Sequence, residues 1–128
     1  MKITPYNITY LEPNEVFVYG SNLRGQHGAG AAKQALEWGA KIGAIRFSGQ
    51  TYGISTKDRL IRTLPLYDIQ SEVDIFYVFA RHHPALEFLV TKIGCGLAGF
   101  EPQDIAPLFR DVSKLPNIAL PIEFWKHI

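Results

Sequence analysis

Residues 91–100, Thr-Lys-Ile-Gly-Cys-Gly-Leu-Ala-Gly-Phe, constrain the fold of this chain more than any other stretch. A hydrophobic run at 88–90 leads into this segment, which holds three glycines within six residues. Glycine tolerates positive φ and leaves no Cβ between the backbone and a ligand. Residues 101–104, Glu-Pro-Gln-Asp, are typical of a helix start. The pattern predicts a strand, a glycine loop and a helix, an arrangement that can bind a phosphate or serve only as a tight turn.

A second unit of the same kind lies nearer the start of the chain. Residues 16–19, Val-Phe-Val-Tyr, form a continuous β-branched and aromatic run, which is typical of a strand buried on both faces. A loop with Gly-Ala-Gly at 28–30 follows, and residues 31–38 are strongly helix-forming up to Gly39. The chain therefore contains two strand, glycine loop, helix units.

Short polar side chains follow the first of these strands. Ser21 and Asn22 are expected at its carboxyl end, where ligands bind in open α/β sheets. Asn22 is equally well interpreted as a turn or capping residue, and we expect His27 to be a solvated loop side chain. The glycine spacing matches neither the dinucleotide-binding fingerprint nor the phosphate loop that ends in Gly-Lys-Ser/Thr.

The remaining elements follow from hydrophobic periodicity and turn residues. Strands are predicted at 8–10 (an edge strand or a lead-in), 42–47, 51–55 and 118–120, and helices at 66–82 and 101–114. Pro107 removes a backbone donor from the last helix and predicts a kink or a break there. Because strands and helices alternate, the predicted fold class is α/β with a mixed, mainly parallel sheet.

Composition narrows the possible partners. With 128 residues and 47% hydrophobic content, the chain is predicted to form a single domain over 1–128. Thirteen basic and twelve acidic residues give a net charge of +1, which argues against binding to bulk nucleic acid or to an anionic membrane surface. One cysteine, no apolar stretch long enough to cross a membrane and no signal-peptide pattern make a cytoplasmic protein the expectation.

No cofactor or metal is predicted. His82 and His83 fall in the last turn of the predicted helix 66–82, where neighbouring side chains point apart, so this pair is a poor metal site. They suit the helix end instead, because cations there complement the dipole.

Three loop motifs together resemble those of macro domains. They are Ser21 and Asn22 with Gly-Ala-Gly-Ala-Ala at 28–32, then Ile-Ser-Thr-Lys at 54–57, then Ile-Gly-Cys-Gly-Leu at 93–97. The motifs occur in the family's order and are most similar to the branch that contains terminal ADP-ribose protein glycohydrolase. Short macro-like proteins of bacteria and phages are similar too. The resemblance covers roughly residues 15 to 125 and implies a three-layer α/β/α fold.

The resemblance also implies ADP-ribose, free or on an ADP-ribosylated macromolecule, as the binding partner. Lys57 would match the lysine that attacks the anomeric carbon in the glycohydrolase branch, and Asn22 would orient the distal ribose. A flexible lysine on a solvated loop is the alternative for Lys57. The implied ligand-binding residues are Ser21, Asn22, Gly28, Ala29, Gly30, Thr56, Gly94, Cys95, Gly96, Leu97, Ala98, Gly99 and Phe100.

The sequence departs from this branch at the acid. The catalytic aspartate of the branch follows Ile-Gly-Cys-Gly-Leu directly, and Ala98 stands in that place here. Asp58 and Glu101 are the nearby acids, and no motif places either of them in the site. The acidic residue that reads adenine is also absent, which leaves Phe124 or Trp125 to stack on the base or to serve in the core or as a lid.

Two functional hypotheses lead. The first is an enzyme that hydrolyses an ADP-ribosyl linkage with Lys57 as nucleophile or polarising group, and the second is a non-catalytic reader or sponge for ADP-ribose or a related NAD-derived nucleotide. Ala98 favours the second, and Lys57 favours the first. An interaction domain with an empty cleft is a third hypothesis, against which the glycines argue. A Cys95 nucleophile is the weakest, since no histidine is evidently paired with it.

Overall fold

A computed structural model describes residues 1–128, and nine helices and strands make up its framework. In chain order they are β1 (Glu15–Asn22), α1 (Gly30–Ala35), β2 (Arg46–Ser48), β3 (Thr51–Lys57), α2 (Leu66–Arg81), β4 (Glu87–Val90), α3 (Pro102–Ile105), β5 (Ile118–Ala119) and α4 (Ile122–Trp125). Short 3-10 turns span Leu36–Trp38, Ala106–Phe109 and Val112–Lys114.

The five strands form one mixed sheet in the order β2-β3-β1-β4-β5. Strand β1 is central and pairs in parallel with β3 and β4, and β4 pairs in parallel with β5. Only β2 runs antiparallel, against β3 at the edge. The carboxyl ends of β3, β1 and β4 therefore meet side by side at one edge of the sheet.

Both faces of β1 are covered by helices. Val16 and Val18 pack with the cluster that includes α2 and α3, whereas Phe17 and Tyr19 pack on the opposite face with α1. All four side chains are at most 2% exposed, as expected for a strand without polar alternation. The arrangement is a three-layer α/β/α fold, which confirms the predicted fold class.

Helix α2 confirms the helix that was predicted from the hydrophobic periodicity of residues 66–82. Ile69, Val73, Phe76 and Ala80 recur at three- and four-residue steps and are fully buried against the sheet. The helix starts just after Pro65, which has extended backbone, and ends at Arg81, one residue before the predicted end. It is the longest helix in the protein at 16 residues, and none of the helices has the length and apolar character needed to cross a bilayer.

The predicted helix 101–114 is broken, as Pro107 indicated. The α-helical part ends at Ile105, and two 3-10 turns complete the segment, because proline cannot donate to the carbonyl four residues earlier. The predicted inward residues Ile105, Phe109 and Val112 are buried, while Leu108 is partly exposed.

Of the two edge predictions, the strand at 42–47 began too early, whereas residues 8–10 are the lead-in that was the alternative to an edge strand. The observed strand β2 is Arg46–Ser48 and starts later than the prediction of 42–47, because the backbone has positive φ at Gly43 (90°) and again at Arg46 (66°), where the strand begins. Residues 8–10 form no strand, and Ile8 instead packs its side chain under α1 as part of a lead-in segment.

The C-terminal aromatic residues belong to the packed body of the protein. Phe124 is fully buried, with its ring centroid 5.5 Å from that of Phe109. The indole Nε1 of Trp125 donates a hydrogen bond to the Lys2 carbonyl at 2.8 Å. Of the two roles considered for Phe124, the structure supports the core.

Candidate functional site

A cleft of about 460 Å³ lies where the carboxyl ends of β3, β1 and β4 meet. Ligands bind at this edge in open α/β sheets. Eleven of the residues singled out by the sequence line it: Ser21, Asn22, Gly28, Ala29, Gly30, Thr56, Lys57, Gly94, Gly96, Leu97 and Ala98. The structure thus brings the three sequence motifs together, and their role in ligand binding stays a prediction.

The loop after β4 needs glycine for two separate reasons. Gly94 has a φ of 79°, and a Cβ there would lie 2.8 Å from Cδ1 of Ile105, so any side chain would collide with α3. Gly96 has open space around it, because no atom lies within 4 Å of a Cβ built on it. The first glycine shapes the loop, and the second keeps the cleft open.

Backbone N–H groups of this loop lack partners within the protein. The N–H groups of Gly94, Gly96, Leu97 and Ala98 donate no hydrogen bond, whereas the neighbouring Cys95 N–H donates to the Lys92 carbonyl at 3.2 Å. Free N–H groups beside a cleft are donors for an anionic or carbonyl-bearing ligand.

The loop between β1 and α1 is organised by Asn22. Its Oδ1 accepts hydrogen bonds from the N–H groups of Arg24 (3.2 Å) and Gln26 (3.0 Å), and its Nδ2 donates to the Gln26 carbonyl at 2.9 Å. Asn22 is 8% exposed. The contacts support the turn interpretation of Asn22, with one amide hydrogen left over for another acceptor.

The prediction that His27 is solvated was wrong. His27 is 5% exposed, and its two ring nitrogens lie 2.9 Å from the Tyr19 hydroxyl and 2.9 Å from the Gly25 carbonyl. The ring packs against Tyr19 on the α1 face of the sheet. The following residues, 28–30, have N–H groups that donate no hydrogen bond within the protein.

Two lysines supply the charge of the cleft, and no acidic side chain lines it. Lys57, at the end of β3, is half-buried and takes part in none of the ion pairs of the protein. Lys92, just beyond β4, pairs with Glu123 at 3.6 Å and lies 5.8 Å from the centre of the Tyr6 ring. The cleft therefore has an unpaired cation on the β3 side of β1 and, on the β4 side, a lysine whose charge is partly offset by Glu123.

The nearby acidic residues, Asp58 and Glu101, take part in hydrogen bonds of a turn and of a helix start. The Asp58 Oδ1 accepts hydrogen bonds from the N–H groups of Arg62 (3.0 Å) and Leu60 (2.8 Å). The Arg62 N–H above all, then the Leu60 N–H and the Arg62 guanidinium, lower the pKa of Asp58. Glu101 precedes α3, and its N–H donates to Asp104 at 3.0 Å. Neither Asp58 nor Glu101 lines the cleft.

Three residues predicted to bind ligand lie outside the cleft lining: Cys95, Gly99 and Phe100. The loop curls back so that the Phe100 N–H donates to the Gly94 carbonyl at 2.9 Å, and the Phe100 and Cys95 side chains pack against the core. Burial raises the pKa of the Cys95 thiol to about 11. A nucleophilic thiolate at neutral pH is therefore disfavoured.

His82 and His83 turn away from any shared ligand. Each donates a hydrogen bond from Nδ1 to the carbonyl four residues earlier, at 2.8 Å for Val78 and 2.7 Å for Phe79. The His83 ring stacks on Phe79 at 4.1 Å. Both side chains therefore satisfy backbone carbonyl groups in the last turn of α2.

A second cavity of about 510 Å³ adjoins the cleft. The two share Ala31, Thr91 and Lys92, so the second cavity opens on the β4 side of the cleft. Tyr6 and Ile8 are among the residues of the lead-in segment that line it. A ligand that fills the cleft can thus extend into a partly apolar neighbouring site.

Eight residues of the cleft are not among the predicted catalytic and ligand-binding residues. They are Gly20, Gln26, Ala31, Ala32, Ile61, Thr91, Lys92 and Ile93. Ala31, Ala32 and Ile93 lie within the quoted motifs, and Gly20, Thr91 and Lys92 adjoin the predicted strands and motifs, so these positions carried a usable signal. Ile61 carried none, because a turn brings it to the cleft from outside all three motifs.

Comparisons with known proteins support the fold. No protein-family model matches the chain, and no curated protein matches it. The chain is similar to the solved structure of a protein of unknown function from Bacteroides thetaiotaomicron, with a TM-score of 0.62 and 14% sequence identity. The match covers 88% of this chain and 90% of that one. The fold and site together define an α/β protein with an electropositive cleft at the carboxyl edge of a mainly parallel sheet.

Proposed function

We propose that the cleft binds ADP-ribose or a closely related nucleotide in which a diphosphate joins a nucleoside to a second sugar. The free backbone N–H groups of two glycine loops carry the proposal, since residues 28–30 and 96–98 line the same cleft. A diphosphate is rich in strong acceptors, and hydrogen bonds to charged acceptors are about twice as strong as neutral ones.

The charges of the cleft suit the same ligand. Lys57 is the last residue of β3, and Lys92 lies just beyond β4. These two strands flank β1, so their axes lie roughly 10 Å apart. An extended anion lying across β1 would have a cation near each end. No acidic residue lines the cleft itself, and Glu123, which lines the adjoining second cavity, pairs with Lys92, so a diphosphate in the cleft meets no unpaired carboxylate.

The second cavity decides which end of the ligand we place on the β4 side of the cleft. A nucleoside placed there would lie beyond Lys92 and against Tyr6, and the second sugar would then lie near Lys57. Both cavities fall within the range of about 300–1,000 Å³ that is usual for small-molecule sites. This orientation follows from the adjoining cavity alone.

Binding without catalysis is the function that the geometry supports better. Proton transfer needs a group within hydrogen-bond reach of the reacting atoms, and no Asp, Glu or His lines the cleft. Lys57-dependent hydrolysis is the second candidate, favoured by a lysine in the cleft wall that belongs to no ion pair.

Calorimetric titration tests the binding proposal. ADP-ribose should bind at least about tenfold more tightly than AMP, because AMP lacks the second phosphate and sugar that would meet the loop at 94–98. Equal affinities for the two nucleotides would contradict the proposal.

Replacement of Lys57 distinguishes the reader from the hydrolase. In a reader, no turnover of an ADP-ribosylated substrate is measurable, and Lys57→Ala weakens ADP-ribose binding modestly. In a hydrolase, Lys57→Ala removes turnover and changes affinity little, since a group used in the transition state affects rate more than binding. Turnover that survives Lys57→Ala would exclude this lysine from the chemistry.

A further inference from the structure

Ile61 has an unusual backbone conformation at the edge of the cleft. Its φ is 61°, and Arg46 is the only other residue besides glycine with a positive φ. A β-branched side chain in this region is strained. Ile61 is half-buried and lines the cleft near Lys57, whereas Arg46 lies outside it on the edge strand β2. The strain therefore occurs where a ligand would contact the protein.

The Asp58 carboxylate holds Ile61 in this conformation. It accepts hydrogen bonds from the N–H groups on both sides of Ile61, those of Leu60 and Arg62, and from the Arg62 guanidinium. The Ile61 N–H itself donates to the Asp58 carbonyl at 3.1 Å. The turn is thus fixed by its own hydrogen bonds and does not depend on the Ile61 side chain.

The segment after the turn is anchored both to the loop that follows β4 and to β3. The Thr63 hydroxyl donates to the Ala98 carbonyl at 3.1 Å, and the Leu64 N–H donates to the Thr56 carbonyl at 2.8 Å. Ile61 is thereby held at the β3 side of the cleft. Leu97, in the loop after β4, is exposed and lies beside the loop that precedes α1, since its Cδ1 is 3.9 Å from where a Cβ on Gly30 would be.

We propose that Ile61 is a specificity-determining residue, which restricts the group carried on the anomeric carbon of the second sugar. This inference rests on the proposed function and on the ligand direction given by the second cavity. Ile61 would form an apolar wall beside the sugar, Lys57 would repel a cationic substituent, and no lining carboxylate would offset that repulsion. The favoured ligands are then nucleotide sugars with a free or small, uncharged anomeric substituent.

ADP-ribose and NAD form a matched pair of probes, because NAD adds only a cationic nicotinamide at the anomeric carbon. The parent protein should bind ADP-ribose at least about tenfold more tightly than NAD. Ile61→Gly should narrow this ratio by about threefold or more through a gain in NAD affinity. Glycine accepts the positive φ, so the melting temperature of this variant should not fall.

Leu60→Ala is the matched control, since Leu60 belongs to the same turn but is 69% exposed and does not line the cleft. It should leave the ratio unchanged. Ile61→Asn, which also tolerates left-handed backbone, gives the same comparison if glycine loosens the turn. ADP-ribose binding with a ratio unaffected by both Ile61 variants would overturn this inference alone. Failure of the parent protein to bind ADP-ribose would overturn the proposed function as well.

Discussion

The Tyr19 hydroxyl and Nε2 of His27 lie 2.9 Å apart and join the central strand to the loop that carries Gly28. The other ring nitrogen, Nδ1, lies 2.9 Å from the Gly25 carbonyl, which can only accept. Nδ1 therefore carries the proton in the neutral ring, and Nε2 accepts from Tyr19. Burial raises the pKa of Tyr19, so this phenol stays a donor at neutral pH.

We predict that Tyr19→Phe and His27→Phe each lower the free energy of unfolding by about 1–3 kcal/mol, because each leaves a buried polar partner unpaired. Their effects should be non-additive in the double variant, with a coupling of about 0.5–3 kcal/mol in urea denaturation. Tyr10→Phe is the control, since Tyr10 is 68% exposed and makes no side-chain hydrogen bond, and should change little. Simple additivity of the first two would show that the contact contributes no specific stability.

Gly53 and Gly96 form a second test pair, because neither has a positive φ and only their surroundings differ. A Cβ on Gly53 would lie 2.8 Å from Cβ of Ser21 and 3.0 Å from the Tyr19 hydroxyl, whereas one on Gly96 meets nothing within 4 Å. Gly53→Ala should cost about 1–3 kcal/mol of stability. Gly96→Ala should change stability by less than about 0.5 kcal/mol in the same denaturation experiment.

A larger side chain at Gly96 tests the site instead of the fold. Gly96→Val should abolish ADP-ribose binding by filling the open space of the cleft, while its circular dichroism spectrum and melting temperature stay close to those of the parent. Undiminished binding by a folded Gly96→Val variant would mean that the ligand does not approach this loop.

The sequence predicted elements whose cause is local. The pattern of α2 needs only its own residues, and the uniformly apolar β1 run needs only the expectation that such strands are covered on both faces. The break at Pro107 is likewise a property of one residue. These predictions were correct for that reason.

Side-chain environments in the loops depended on distant residues. His27 is buried because Tyr19 reaches it from the strand, and the Tyr19 hydroxyl has room because the neighbouring β3 has glycine at position 53. The positive φ of Ile61 depends on how the Asp58 carboxylate folds its turn. No periodicity or motif in the sequence encodes these contacts. The motifs therefore predicted which segments form the cleft, but they did not predict correctly which of their residues line it.

The Cys95 thiol should be unreactive in the native protein. Burial raises its pKa from 9.0 to about 11, so labelling by a disulfide reagent at pH 8 should be much slower than in urea. The raised pKa contributes stability that is fully present below about pH 9 and is lost as pH rises towards 11, since the unfolded thiol ionises first. Cys95→Ser should remove the part of the loss of stability at alkaline pH that is due to this thiol. Rapid labelling of the native protein at pH 8 would contradict the prediction that Cys95 is unreactive.

Ala98→Asp tests whether the cleft lacks only an acid to hydrolyse an ADP-ribosyl linkage. Ala98 lines the cleft, and its carbonyl accepts a hydrogen bond from the Thr63 hydroxyl at 3.1 Å. The backbone that would carry the new carboxylate is therefore held in place. If the parent protein is a reader with no measurable turnover, Ala98→Asp should create turnover, and only while Lys57 is present. If the parent turns over slowly, Ala98→Asp should raise the rate by a factor on the order of 10²–10⁴. Ala98→Asn is the control, because it matches the size of aspartate without its basicity. A parent protein that already turns over rapidly, with no change in Ala98→Asp, would mean that another group transfers the proton and that the cleft is a complete active site.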